Sequence, residues 1–165
     1  ALTLLRPDTT IFLDSGSTAT TMARQFPNQS NLIYTTGLSC AAEFVGLSQP
    51  TVMLPGGRLN RYSQSVCGIT AVRELERVNF SQTFLGVTSF SLQTGFTCGS
   101  NEEALLKQTA IRQAEQTIVL MDSSKVGMRS TFRICGLEEI DILVSDGGLP
   151  ESLLEECRKR RVTVL

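Results

Sequence analysis

The chain of 165 residues has the length of one domain with a full hydrophobic core. Its formal net charge is −1. The one dense basic run, 158–161, is explained by a helix C-terminus, where cations are favourable. Nothing else in the sequence indicates a nucleic-acid-binding surface. The absence of histidine excludes Ser-His-Asp and Cys-His nucleophiles and removes the commonest metal ligand, and we expect neither a metal nor a cofactor.

Apolar runs of strand length alternate with amphipathic runs of helix length along the chain. The predicted strands are 11–13, 32–34, 51–54, 83–87, 117–121, 140–144 and 162–165. The predicted helices are 18–25, 38–44, 69–78, 102–114 (with Asn101 as N-cap) and 150–160, and the predicted polar loops are 59–67 and 88–100. This alternation predicts an α/β fold: a three-layer, open, mostly parallel sheet of about six or seven strands flanked by helices.

A short polar loop, 14–18, follows the first strand and leads into the first helix. In open α/β sheets ligands bind at the carboxyl ends of strands, and a helix N-terminus offers free backbone N–H groups to an anion. The loop therefore fits a phosphate seat made by Ser15, Gly16, Ser17 and Thr18. An ordinary helix N-cap fits equally well, because Asp, Ser and Thr all cap helices, and the loop alone leaves both interpretations open.

Other predicted strands also end in polar or glycine-rich loops, at residues 35–37, 56–58, 122–125 and 145–146. The carboxyl ends of parallel strands share one edge of a sheet, which is where ligands bind. We therefore expect all of these loops to gather along one rim.

The predicted helix 102–114 carries two charges, Glu103 and Lys107, on the arc of its apolar side chains. A surface pair four residues apart would explain them, but burying both ions costs several kcal/mol each unless they are well paired. We favour a cleft that opens over this helix and lets both groups reach a ligand. Lys125, just past a predicted strand, is a further candidate, although a solvated loop lysine is the default.

The five cysteines are scattered and form no CxxC pair, which predicts buried free thiols in a reducing cytoplasm. No apolar run approaches the roughly 20 residues of a membrane helix, and no signal peptide is visible. We expect a cytoplasmic protein without membrane contact. Because the chain begins at Ala1 rather than Met, we expect it to be a fragment.

A series of short motifs runs along nearly the whole chain: Leu13–Thr18, Tyr34–Leu38, Leu54–Arg58, Val66–Gly68, Phe84–Val87, Gly95–Thr97, Glu103–Lys107, Asp122–Gly127 and Ile140–Asp146. In this order the motifs resemble the C-terminal sensor domain of DeoR-type bacterial transcriptional repressors. The most specific motif is Asp-Ser-Ser-Lys after a buried strand. The resemblance implies a fold similar to ribose-5-phosphate isomerase and glucosamine-6-phosphate deaminase.

The resemblance also implies an N-terminal winged helix-turn-helix that binds operator DNA and is missing here, so that residues 1–165 form a single effector-binding domain. This domain would bind a phosphorylated sugar or related metabolite, change operator affinity and form a homo-oligomer. Asp14 and the four residues after it would hold phosphate or sugar hydroxyls, Gly86 and Gly95 would help to form the far wall, and Asp122 would orient a lysine. The ligand-binding residues implied in this sequence are Asp14, Ser15, Gly16, Ser17, Thr18, Thr35, Thr36, Gly56, Gly57, Arg58, Gly86, Gly95, Thr97, Glu103, Lys107, Asp122 and Lys125.

Related isomerases carry catalytic carboxylates after the position of Gly86, where this chain has Val-Thr-Ser-Phe (87–90). Isomerisation needs a base beside the C–H bond that breaks, and this loop supplies none. We therefore expect binding without turnover, and Lys107→Ala to weaken binding far more than folding. The alternatives are an isomerase or deaminase that uses Glu103 as base with Lys107 or Lys125 as stabiliser, and an oligomerisation module with a vestigial cleft.

Overall fold

The computed structural model describes residues 1–165, and every predicted helix and strand is present with ends that differ by at most three residues. The strands are β1 Thr10–Leu13, β2 Leu32–Thr35, β3 Thr51–Met53, β4 Arg58–Asn60, β5 Ser65–Cys67, β6 Gln82–Gly86, β7 Ser89–Ser91, β8 Gly95–Cys98, β9 Thr117–Leu120, β10 Phe132–Cys135, β11 Ile142–Val144 and β12 Thr163–Val164. The helices are α1 Ser17–Arg24, α2 Leu38–Glu43, α3 Ile69–Leu75, α4 Asn101–Arg112 and α5 Glu151–Lys159.

Seven strands form one parallel sheet in the order β12-β11-β9-β6-β1-β2-β3, which confirms the predicted open, parallel architecture. The chain runs outward from β1 through β2 to β3. It then returns to the other side of β1 and runs outward again through β6, β9, β11 and β12. The strand order therefore reverses between β1 and β6, and open α/β sheets bind ligands in the crevice at such a reversal.

Alternate residues of the central strands face two separate hydrophobic cores, because successive side chains of a strand point to opposite faces. Ile11 and Ile118 pack with α1 and α2 on one face, whereas Phe12 and Val119 pack with α3, α4 and α5 on the other. All four residues of β9 are buried, which explains why its sequence is continuously apolar. The predicted three layers are therefore present.

Both segments predicted as polar loops contain antiparallel strands, so that prediction is wrong. Residues 59–67 belong largely to the hairpin β4–β5, in which Asn60 pairs with Ser65. Residues 88–100 contain the hairpin β7–β8, to which β10 adds a third strand. These strands are only three or four residues long, which is too short for a period of two to stand out.

Gly95 has a structural role in this second, three-stranded sheet. It adopts a positive φ of +72°, and a Cβ there would lie 2.3 Å from the backbone oxygen of Cys135. We expect Gly95→Ala to lower the free energy of unfolding by about 2 kcal/mol, because left-handed backbone and a backbone clash both oppose the methyl group. Urea unfolding measures this.

The control for this prediction is Gly46→Ala. A Cβ at Gly46 would meet nothing within 4 Å, and its φ is not positive. This variant should change the free energy of unfolding by less than about 1 kcal/mol. Equal stability of the two variants would contradict the role assigned to Gly95.

The five cysteines are free and buried, as predicted. Burial raises the pKa of each thiol, and it raises the pKa of Cys135 to about 12. A high pKa keeps these groups as unreactive thiols. None of the helices is long and apolar enough to cross a membrane.

Candidate ligand-binding site

A cavity of about 540 Å³ opens at the carboxyl edge of the sheet, where the strand order reverses between β1 and β6. Its volume lies within the range of small-molecule sites, roughly 300–1,000 Å³. Two of the polar loops predicted to gather at this rim contribute to its wall, 14–18 and 122–125, whereas no residue of the loops 35–37, 56–58 and 145–146 lines it. The lining residues are Ser15, Gly16, Ser17, Thr18, Asn60, Tyr62, Ser63, Gly86, Val87, Thr88, Gly99, Ser100, Glu103, Lys107 and Lys125.

The N-terminus of α1 points uncapped backbone donors towards this cavity. Its N-cap is Gly16, with a φ of 101°, and no side chain caps the helix. The N–H groups of Ser17, Thr18 and Ala19 have no acceptor within the protein. The N-cap interpretation of the loop is therefore wrong, and the free N–H groups leave a ready seat for an anion.

Asp14 and Lys107 form a buried ion pair beside the cavity. The Lys107 Nζ lies 2.5 Å from Asp14 Oδ2 and also donates to the Gly86 backbone oxygen at 2.7 Å. The Gly86 N–H donates to the same Asp14 oxygen at 2.9 Å. Burial opposes the charged ammonium, but the Coulombic attraction and hydrogen bond of Asp14 outweigh burial, so the pKa of Lys107 lies above its ordinary value of 10.5.

This pairing corrects the role expected of Asp14. Its carboxylate is committed to Lys107 and Gly86 and does not line the cavity, so it is not placed to hold phosphate or sugar hydroxyls. Asp14 instead fixes the position of Lys107, which does line the cavity. An ammonium has three donors, and two of those on Lys107 have protein acceptors, which leaves one for a ligand.

Glu103 and Lys107, the two charged residues on the otherwise apolar arc of α4, both line this cavity, as the helical periodicity predicted. The helix begins one residue earlier than predicted, because Ser100 rather than Asn101 is the N-cap and accepts the Glu103 N–H. Lys125 also lines the cavity.

Asp122 contacts Lys125, as expected from the resemblance. The Lys125 Nζ lies 3.2 Å from Asp122 Oδ2. The Ser124 hydroxyl and, more weakly, Lys125 hold the pKa of Asp122 below its usual range. Asp122 itself does not line the cavity.

The predicted residues of the third loop support the hairpin β4–β5 instead of lining the cavity. Gly57 has a φ of +155°, and a Cβ there would lie 2.6 Å from the Cys67 backbone oxygen. Gly56 donates its N–H to Glu74, and Arg58 forms an ion pair with Glu102 on the surface. None of these three residues lines this cavity.

Four further predicted residues, Thr35, Thr36, Gly95 and Thr97, lie outside the cavity. Thr35 and Thr36 are buried below the rim, at 0% and 3% exposure, and Thr35 Oγ1 accepts the N–H of a glycine two residues on. Thr97 is buried, and its hydroxyl hydrogen-bonds to Ser89. Gly95 packs against β10 instead. The expected far wall is therefore built by Val87, Thr88 and Ser100, among others.

The hairpin β4–β5 also contributes to the cavity, which the sequence pattern did not predict. Asn60, Tyr62 and Ser63 line the cavity from this hairpin. Ser63 Oγ lies 2.7 Å from Ser65 Oγ, across the end of the hairpin. Residues 59–67 were predicted as a polar loop, and a loop prediction does not tell which way side chains point. Only the hairpin pairing shows that these residues face the cavity.

Comparison with known proteins identifies the family. The family model of the DeoR C terminal sensor domain matches residues 1–147. The chain is 32% identical over 155 residues to the HTH-type transcriptional regulator GlpR of Haloferax volcanii, covering 94% of this chain and 61% of that protein. It is 33% identical over 166 residues to the putative aga operon transcriptional repressor of Escherichia coli O157:H7, covering 100% of this chain and 62% of that protein.

Solved structures show the same fold at low sequence identity. Ribose 5-phosphate isomerase A from Methanocaldococcus jannaschii aligns with a TM-score of 0.53 at 17% identity, over 76% of this chain and 49% of the isomerase. The delta subunit of eIF2B from Chaetomium thermophilum aligns with a TM-score of 0.51 at 12% identity, over 81% of this chain and 52% of that chain. The chain spans about three fifths of the curated relatives, 61% and 62% of their lengths. It belongs to the DeoR family of transcriptional regulators, as a C-terminal sensor domain.

Proposed function

We propose that this domain binds a phosphorylated sugar or a related phosphorylated metabolite in the cavity between β1 and β6 and releases it unchanged. The observation that carries the proposal is the uncapped N-terminus of α1 in the same cavity as Lys107 and Lys125. Free N–H groups at a helix N-terminus favour a phosphate, and two ammonium groups add attraction.

The hydroxyl-rich wall suits the remainder of such a ligand. Ser15, Ser63, Thr88 and Ser100 line the cavity and offer hydroxyls that both donate and accept hydrogen bonds. A sugar presents several hydroxyls that need partners when they leave water. The cavity therefore offers complementary groups for both ends of a sugar phosphate.

The absence of turnover is supported by the few acids in the wall. Glu103 is the one carboxylate that lines the cavity, and the segment after β6 contributes Val87 and Thr88 where a base would be needed. The relatives named above are transcriptional regulators. We therefore propose a sensor without catalysis.

A thermal-shift screen against phosphorylated sugars tests the proposal. A ligand at 100 times its Kd adds about 2.7 kcal/mol of stability, which is a rise in Tm of roughly 5–10 °C for a domain of this size. The matching unphosphorylated sugars are the control and should give no shift at the same concentration. No shift with a broad panel of phosphorylated sugars would contradict the proposal.

The alternative function is an enzyme that uses Glu103 as its base, since Glu103 lies one helical turn from Lys107 in the same wall. An isomerase or deaminase would exchange a substrate proton with solvent through this carboxylate. Incubation of a bound sugar phosphate in deuterium oxide should leave the sugar without deuterium. Incorporation that disappears in Glu103→Gln would establish the enzyme instead.

The remaining proposals concern the whole protein. The relatives are helix-turn-helix regulators about two thirds longer than the matched region, so we propose that residues 1–165 form one effector-binding unit after an N-terminal winged helix-turn-helix. Effector binding would change operator affinity through that domain. We also propose that the whole protein is a homo-oligomer and works in the cytoplasm.

A further inference from the structure

The hairpin β4–β5 forms a flap with a fixed second strand and a projecting tip. The Leu38 N–H donates to the Gln64 oxygen at 3.0 Å, and the Val66 N–H donates to the Thr36 oxygen at 2.8 Å, which fasten β5 to the segment after β2. The Tyr62 N–H at the tip donates only to a side chain within the same turn. The hairpin is therefore held to the rest of the domain at its base, whereas its tip makes no such backbone contact.

Tyr62 at this tip is the most exposed large hydrophobic side chain of the protein, at 99% exposure. It is also the only aromatic residue in the wall of the cavity. The other apolar side chain there, Val87, is 6% exposed and presents little surface. Small-molecule sites are usually lined by apolar and aromatic groups around a few polar ones, and this cavity lacks such a surface without Tyr62.

We propose that the Tyr62 ring covers the C–H face of a bound sugar and is a specificity-determining residue for the sugar part of the ligand. This inference rests on the proposed function and deepens it. The anion seat at α1 and Lys107 hold the phosphate, which is common to the whole ligand class. Tyr62 supplies broad apolar contact at low cost in conformational entropy, because a tyrosine has two side-chain torsions.

The chain offers a direct optical test, since it has two tyrosines and no tryptophan. In Tyr34→Phe, Tyr62 is the single fluorescent tyrosine, and acrylamide quenching reports its exposure. Free protein should be quenched nearly as strongly as free tyrosine amide. Saturating ribose 5-phosphate, glucose 6-phosphate or fructose 1-phosphate, whichever binds in calorimetry, should lower the quenching constant at least about twofold because the ring is covered. Inorganic phosphate should not lower it.

Calorimetry on variants gives the second measurement. Tyr62→Ala should weaken binding of the same sugar phosphate about tenfold, whereas Tyr62→Phe keeps the ring and should stay within about threefold. Both should bind inorganic phosphate like the parent. Leu92→Ala, at 52% exposure on the turn of β7–β8 and outside the cavity, is the control and should change neither affinity.

The outcomes separate this inference from the proposed function. If the parent binds no phosphorylated sugar, the proposed function fails and the role of Tyr62 fails with it. If the parent binds one but Tyr62→Ala binds it equally well, only the role of Tyr62 is overturned. Unchanged quenching during measured binding would also overturn it.

Discussion

Thr18→Asp should weaken binding of a phosphorylated ligand strongly while leaving the domain at least as stable as the parent. Thr18 is exposed, lines the cavity and is the second residue of α1. A carboxylate near a helix N-terminus stabilises the helix by about 0.3–1 kcal/mol. The same carboxylate would occupy the anion seat and repel phosphate, and we expect at least a loss of about 100-fold in affinity, measured by calorimetry.

A matched control exists on α3. Its N-cap, Gly68, has a φ of 104° and a ψ of 173°, close to the 101° and 173° of Gly16. Thr70 is the exposed second residue of that helix and lies outside the cavity. Thr70→Asp therefore makes the same change in charge at an equivalent helix position and should leave ligand affinity unchanged. Equal affinity of both variants for the phosphorylated ligand would show that the N-terminus of α1 does not bind the phosphate.

Lys107→Met should lower the free energy of unfolding by about 3–5 kcal/mol, because it leaves the buried carboxylate of Asp14 without its partner. The two side chains are 9% and 3% exposed, so little of the carboxylate could be hydrated in place of the lost ammonium. This revises the expectation that removing Lys107 would spare the fold, since that expectation assumed a solvated cleft. Urea unfolding gives the measurement.

Two further variants isolate the cause of this loss. Asp14→Asn combined with Lys107→Met removes both charges and should recover most of the lost stability. Lys125→Met breaks an exposed pair with Asp122 and should cost less than about 1 kcal/mol. A double variant no more stable than Lys107→Met alone would show that packing, and not the unpaired carboxylate, causes the loss.

The raised pKa of Lys107 sets the pH range of this contribution. A group whose pKa is higher in the folded state stabilises fully below its unfolded value and loses that contribution as pH rises through the folded value. For Lys107 the folded value lies above 10.5. Its contribution is therefore complete at neutral pH and declines only in strong alkali.

Local patterns were enough to predict the sheet, because each strand is either continuously apolar or followed by a polar loop. The helical wheel also placed Glu103 and Lys107 correctly, since helix periodicity fixes direction. It did not identify Asp14 as the partner of Lys107, which is 93 residues away in the chain. The sequence around a carboxylate does not tell whether its partner in the folded protein is a lysine or a ligand.

The glycines show the same limit. Gly57 and Gly95 belong to motifs that resemble those of DeoR-type sensor domains. From that resemblance both were expected to line the ligand-binding site. In the structure Gly57 lies against the backbone of Cys67 across its own hairpin, and Gly95 lies against the backbone of Cys135, 40 residues further along the chain. A motif records that a residue is required, whereas only tertiary contacts tell whether packing or binding requires it.

The reversal of strand order between β1 and β6 has a consequence for when the protein can respond to its effector. The cavity takes residues from Ser15 to Lys125, and its two central strands are separated in the chain by the whole of β2–β5. A nascent chain on the ribosome has no pocket until Lys125 has emerged and β6 has docked beside β1. A chain that ends before Lys125 would therefore lack part of the cavity wall, however well its first strands fold.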